Sequence, residues 1–326
     1  EKVRDKLPTW YDEMYYENHR GTYTSQAIIK KYNRQSELLV TRTEMLASIL
    51  ENISGEKYPK EKLEEIWKLL LKNQFHDTLP GTSIHEAHID AKNVFEKLMA
   101  EAGEIKSDIL EKINSHVSAE KDSFIVWNLL SFERSGYVTV DGTTFYAENV
   151  PPMGYKIFSC DEIKNKFKAV RATEKIIENE KLRVRFDKNG LIASIYDKEN
   201  DRETLSGKSN LLTIFQDKPI HESAWNLEIN YQKKFWDLID AEEIKVIPDD
   251  GEKAGIRIIR KFNKSTITQK ILLRRNSSHL DFETEVDWHE TEKILKAAFL
   301  TDILSTKATY EIAHGSIERP THYTTS

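Results

Sequence analysis

The stretch Asn73-Gln74-Phe75-His76-Asp77-Thr78-Leu79-Pro80-Gly81-Thr82-Ser83 sets an imidazole beside a carboxylate just ahead of a Pro-Gly break. A neutral imidazole can ligate a metal or move a proton, and a neighbouring carboxylate can orient it or hold a hydroxylated substrate. Asn73, His76 and Asp77 are three and four residues apart, so on a helix they share a face. The same residues have a plainer reading. An imidazole at a helix C-terminus can bond the last carbonyls, where the negative end of the dipole favours it. A metal site needs three or four ligands. Spacing alone leaves both readings open.

The flanking residues predict the elements that hold this stretch. Leu63, Ile66, Trp67, Leu70, Leu71 and Phe75 recur at helical steps and mark a buried stripe. Pro80-Gly81 would stop that helix. Ser83-Ile84-His85-Glu86 reads as a capping box that opens the next one. Upstream, Thr24 or Ser25 would cap a long helix carrying Ile28, Tyr32, Leu38, Leu39, Met45, Leu46, Ile49 and Leu50. Gly55 ends it, and Pro59 opens the second helix as a first-turn proline. The third helix runs from Ser83 to about Ile113, with His85, His88 and Asp90 as ordinary surface residues. Three long amphipathic helices with short joints predict an antiparallel three-helix bundle over 24–118.

Residues 1–23 hold Trp10, Tyr11, Tyr15, Tyr16, His19 and Tyr23 and show neither period, which suits a strip taken from a neighbouring domain. After His116 the pattern turns to alternation. Strands are expected at Ser123–Leu130, Tyr137–Val140 (with an Asp141-Gly142 turn), Tyr155–Cys160, Leu182–Phe186 and Leu191–Asp197. More follow at Leu211–Phe215, Ile244–Val246, Ile256–Phe262, Thr266–Leu273, Leu280–Val286, Lys296–Leu300 and Thr309–Ala313. With no crossover helices between them, these predict sandwich domains: a small β domain over 119–172 and a larger one over 173–326. The fold class is α then β.

Composition narrows the function. The 326 residues carry a formal charge of −6 with both signs interspersed, so no nucleic-acid footprint is expected. No apolar run approaches the ~20 residues of a membrane span. A lone cysteine, Cys160, leaves no internal disulfide, and a cytoplasmic address is the simplest fit. The chain opens on Glu1 rather than Met, so it is expected to be a piece of a longer protein. A homo-oligomer is compatible with all of this.

Several blocks together resemble glycoside hydrolase family 38, the class II α-mannosidases. They are His19-Arg20-Gly21-Thr22-Tyr23-Thr24-Ser25-Gln26, Asn73-Gln74-Phe75-His76-Asp77 with Leu79-Pro80-Gly81, and Asn128-Leu129-Leu130-Ser131-Phe132-Glu133-Arg134. Asn179 through Lys198, Asp281 through Lys296 and Ile317-Glu318-Arg319-Pro320-Thr321-His322 agree, in order along nearly the whole chain.

The resemblance implies a full enzyme in which a catalytic barrel precedes the bundle and the sandwich domains, with residues 1–23 a remnant of that barrel or a linker to it. It implies a retaining, zinc-dependent hydrolysis of α-linked mannose in mannose-containing saccharides. Such enzymes use two carboxyl groups about 5–5.5 Å apart, and the family's nucleophile, acid and remaining zinc ligands lie in the barrel. By the resemblance His76 is a zinc ligand, Asp77 binds the sugar, and His19 stands where eukaryotic relatives carry a tryptophan against the mannose ring. No catalytic carboxylate is assigned within residues 1–326. Bacterial relatives show Asp-Ala-Trp-Asp where this chain has Ser223-Ala224-Trp225-Asn226. The alternative is a non-catalytic scaffold or carbohydrate-binding module without a metal, in which His76 is only a cap.

Overall fold

The computed structural model of the chain describes residues 6–8, 17–120, 123–140, 142–159, 163, 167–312 and 315–322. Trp10, Tyr11, Tyr15, Tyr16, Asp141, Cys160 and Ala313 lie outside the described residues. The chain forms two compact units, each of them discontinuous in sequence. One holds Glu1–Val138, Tyr146–Ile163 and Asp217–Lys233; the other holds Thr139–Phe145, Lys164–Gln216 and Lys234–Ser326.

In the first unit a short 3-10 stretch, Glu17–Tyr23, leads into α1 (Ala27–Ser54), α2 (Lys60–Asn73) and α3 (His85–Ser115). Their apolar stripes meet in one cluster of Ile29, Val40, Ile66, Leu70, Ala91, Phe95, Leu98 and Ala102. A second cluster, Leu46, Leu50, Leu63, Ile109 and Ile113, also receives Trp127 and Leu129 from the β region. Burying these side chains, at about 1.5–3 kcal/mol each, outweighs the middling helix propensity of the sequence. None of the described helices is long and apolar enough to cross a membrane.

Several local expectations are corrected. The helix before the His-Asp pair ends at Asn73, well short of Pro80-Gly81, so His76 and Asp77 lie in the following turns and not on a helical face. The stripe ends with it at Leu70, and Phe75 is 54% exposed. Neither Thr24 nor Ser25 caps α1: Gln26 does so in a left-handed conformation, with no side-chain cap bond. Pro59 is the cap position of α2 rather than its first residue. The Ser83 capping box does not form, because Ile84 occupies the cap of α3 without a side-chain bond. Ser83 Oγ instead donates to the Asp77 carbonyl at 2.8 Å. His88 is buried, with Nε2 3.1 Å from the Ser83 carbonyl, whereas His85 and Asp90 are exposed.

The β region opens with β1 (Ser123–Asn128), β2 (Arg134–Val140), β3 (Thr143–Val150) and β4 (Gly154–Ser159), with β1 paired to β4 and β2 to β3. The expected strands omit β3, whose buried Phe145 and Ala147 alternate with polar neighbours over too short a run to stand out. Asn128 fastens the corner: the two protons of its Nδ2 are shared among the carbonyls of Phe132, Val150 and Pro151, and Leu130 N–H donates to its Oδ1.

In the second unit, β5 (Arg171–Ala172), β6 (Ile176–Glu178), β7 (Leu182–Phe186), β8 (Ile192–Asp197) and β9 (Arg202–Glu203) form an antiparallel five-stranded sheet in sequence order. Three further strands, β10 (Leu211–Gln216), β11 (Phe235–Asp237) and, from later in the chain, Lys293–Ala298, lie in the order β11, β10, Lys293–Ala298. Next come β12 (Glu243–Ile247), β13 (Lys253–Phe262), β14 (Ser265–Arg274) and β15 (Leu280–Asp287), an antiparallel meander. Lys293–Ala298 is β16, three residues earlier than its expected start, and β17 (Lys307–Ile312) pairs with β18 (Gly315–Pro320). Ile177, Val184 and Ile192 of the five-stranded sheet share one core with Ile256, Ile258 and Ile271 of the meander. This is the expected sandwich, since each sheet buries every second residue against the other.

Candidate functional site

His76 and Asp77 stand on the turns that join α2 to α3. The His76 side chain is 74% exposed and that of Asp77 44%, with Nε2 of the one 3.5 Å from Oδ2 of the other. The His76 ring also lies against Phe75, centroids 4.2 Å apart. The backbone beneath is tightly bonded. The Asp77 carbonyl accepts from the N–H groups of Thr82 (3.1 Å) and Ser83 (3.0 Å) as well as from Ser83 Oγ. Two exposed polar side chains on a fixed backbone are suited to meeting something outside the bundle.

The segment around His19 approaches the same turns. Lys30, in the first turn of α1, donates from Nζ to the Leu79 carbonyl at 2.9 Å and also to the Ser25 carbonyl. Gly81 has φ +82, and a Cβ there would lie 2.5 Å from the Ser25 carbonyl oxygen. Glycine is therefore required twice over, by conformation and by contact. Burial lowers the Lys30 pKa from 10.5 to about 8.

A third segment joins from far along the chain. Gly21 N–H donates to the Trp225 carbonyl at 2.8 Å, and Ser25 Oγ donates to the Ala224 carbonyl at 2.9 Å. His19 meets Trp225 edge to face, ring centroids 4.8 Å apart. Asn226 is spent locally, its Nδ2 on the His221 carbonyl at 3.1 Å. At the base of this segment, burial and then Glu228 push the Asp217 carboxyl above its ordinary range.

Thus His19 reaches an aromatic partner, and its loop is joined through Lys30 to the turns of His76 and Asp77. The sequence reading missed Lys30, Ser25 and Trp225 as parts of one arrangement. Gly21 and Gly81 were the available signal, since each sits within a motif and each excludes a side chain. Among the described residues no group of three or more His, Cys, Asp or Glu side chains comes together as a metal site. His76, an accessible imidazole with a carboxylate beside it, fits one place in a zinc donor set and does not close a shell by itself.

The chain is thus a three-helix bundle followed by antiparallel sandwich sheets, with an exposed His-Asp pair on the turn between α2 and α3. The family description "Alpha mannosidase middle domain" matches residues 17–113, and "Glycosyl hydrolases family 38 C-terminal domain" matches 177–326. The chain belongs to glycosyl hydrolase family 38. It is similar to Alpha-mannosidase G of Dictyostelium discoideum, 28% identical over 390 residues, which cover 100% of this chain and 36% of the relative. It is likewise similar to human Alpha-mannosidase 2C1, 29% identical over 343 residues, covering 100% of this chain and 33% of the relative. The chain thus spans about a third of the length of these curated relatives. The crystal structure of an alpha-mannosidase from Enterococcus faecalis V583 shares the fold: TM-score 0.77 and 15% identity, covering 94% of this chain and 46% of that one.

Proposed function

We propose that this chain is the bundle and sandwich portion of a zinc-dependent, retaining α-mannosidase that acts on mannose-containing saccharides in the cytoplasm. In this reading the reacting carboxylates and the other zinc ligands come from an N-terminal barrel. His76 supplies one neutral imidazole to the metal, and zinc, when bound, acts as a template for the sugar hydroxyls. The Asp77 carboxylate accepts a charge-assisted hydrogen bond from a sugar hydroxyl. His19, held on edge by Trp225, offers a ring against the apolar face of the sugar.

The observation that carries this reading is the exposure of His76 and Asp77 together on a turn whose backbone is bonded internally. A helix cap would instead direct the imidazole at α2's own last carbonyls, and the only ion-pair partner of its Nε2 among the described residues is Asp77. The test uses the full-length protein and its His76→Ala variant, measuring bound zinc, turnover of an aryl α-mannoside and thermal midpoint. The expected result is loss of zinc and of turnover, with the midpoint nearly unchanged because the removed ring is largely in solvent. Retention of both zinc and turnover would reduce His76 to a surface residue.

A further inference from the structure

Lys30, Asn33 and Glu37 lie at helical steps of three and four, so they form one stripe along the first turns of α1. The α2–α3 connection is tied to that stripe at two points, its start and its middle. At the near end, Gln74 Nε2 donates to Asn33 Oδ1 at 3.0 Å and to Glu37 Oε1 at 2.9 Å. Midway along the connection, the Lys30 ammonium donates to the Leu79 carbonyl at 2.9 Å. His76 and Asp77 fall between the two anchors. The connection's own backbone bonds are internal: Thr78 and Leu79 N–H to the Phe75 carbonyl, Gly81 N–H to that of Thr78, and the bonds on the Asp77 carbonyl. Such bonds shape a turn but do not locate it. Besides Leu79 packed on the bundle core and the Ser83 carbonyl against His88 of α3, the anchors to α1 are the polar contacts that hold the turn on the bundle.

We propose that Lys30 is a positioning residue, which with the Gln74 anchor holds the His76–Asp77 turn in place on α1 and couples it to the segment carrying His19. The coupling arises because the same ammonium also donates to the Ser25 carbonyl, four residues beyond Gly21. An ammonium is suited to this role, because its three donors can serve two carbonyls from separate segments and a charged donor makes the stronger hydrogen bond. Leu or Met at position 30 would fill the space and leave both carbonyls half-buried without that partner. Arg could reach both carbonyls with its forked donors.

The proposal rests on the zinc reading for its functional consequence but not for its structural one, and the experiment separates them. Hydrogen exchange is followed by mass spectrometry on full-length wild type, Lys30→Met, Lys30→Arg and Gln74→Ala, and zinc affinity is measured by competition with a chelator. His76→Ala is the control. Lys30→Met is expected to speed exchange over residues 75–83 about tenfold or more while the α3 peptide around Phe95–Ala102 is unchanged. It is expected to weaken zinc binding about 10-fold to 100-fold, the usual effect of losing support behind a metal ligand. Lys30→Arg should restore most of both, and Gln74→Ala should loosen 75–83 from its start. Unchanged exchange over 75–83 in Lys30→Met overturns the proposal, as does acceleration spread equally through α3. If His76→Ala keeps its zinc, the zinc reading falls, and the exchange data still decide whether Lys30 anchors the turn.

Discussion

Ser25 Oγ lies 2.9 Å from the carbonyl of Ala224, 199 residues away in sequence, and equally 2.9 Å from that of Gly21, so its one proton is shared between them. The contact pins the entrance of α1 to the segment that supplies Trp225, and Gly21 makes the parallel bond to the Trp225 carbonyl. Removing the hydroxyl leaves a part-buried carbonyl short of a donor. Ser25→Ala is expected to cost about 1–2 kcal/mol, read as a lowered midpoint in urea. Gly81→Ala should cost more, about 2–3 kcal/mol, because it adds backbone strain at φ +82 to a collision with the Ser25 carbonyl. Equal effects of the two would show that the turn yields freely.

The ring of Phe75 is a second test. With 54% of the residue exposed, Phe75→Ala is expected to lower stability by less than about 1 kcal/mol. Phe95→Ala, at 0% exposure in the bundle core, should lower it by about 3–5 kcal/mol. Denaturant melts of both variants decide between a core and a surface role for residue 75.

Asn179 predicts a large effect from an almost isosteric change. Its Nδ2 donates to the carbonyls of Arg274 and Ser277, both at 2.8 Å, while its Oδ1 accepts from the N–H groups of Lys181 and Leu182. Asn179→Asp keeps the acceptor but sets a carboxylate oxygen against two carbonyls. The expected loss is at least ~3 kcal/mol at pH 7, partly recovered in acid where the carboxyl protonates and can donate once. A pH-independent loss would contradict this account.

The sandwich should also weaken in acid through Asp249. Burial acts to raise its pKa, but Arg275 and the N–H groups of Val170 and Gly251 outweigh burial, and the carboxyl titrates below its usual range. A depressed carboxylate stabilises the fold above the ordinary Asp pKa of about 3.9, and that contribution is lost as pH falls through the lower folded value. Asp249→Ala should therefore lower stability by about 3–5 kcal/mol at pH 7, leaving Arg275 buried without this partner. It should also flatten the acid limb of the stability curve below about pH 5. An unchanged acid limb would assign that sensitivity to other carboxylates.

Under the proposed function, residues 1–326 alone should bind zinc weakly, because one imidazole is not a metal shell, and hydrolyse no aryl α-mannoside, because the reacting carboxylates belong to the barrel. Equilibrium dialysis and an assay of highly purified chain check both; tight stoichiometric zinc would reveal an overlooked ligand set.

Periodicity made the three helices and most of the long strands legible, since burial imposes the same spacing that the sequence displays. The ends of helices were less so. Ser83 looked like a cap because its type and spacing matched one, but its hydroxyl found a better acceptor in the Asp77 carbonyl, which only the turn brings near. Family motifs drew notice to His76, Asn128 and Asn179 alike, and the structure separates them: the last two clamp backbone, while the first faces solvent. Lys30 was illegible. It looks like any helix-surface lysine until two carbonyls from separate loops converge on it.

The chain's passage out of one unit and back has a consequence during synthesis. Residues 217–233 belong with the bundle but are made after the first strands of the sandwich. At ~5–20 residues per second, a ribosome needs roughly 10–40 s after finishing Ser25 to deliver Ala224. The nascent bundle can form its helical core long before that, yet its entrance waits, open, for a segment still unmade. A chain released before Ala224 would hold the three helices but lack these late partners of Gly21 and Ser25 at their entrance.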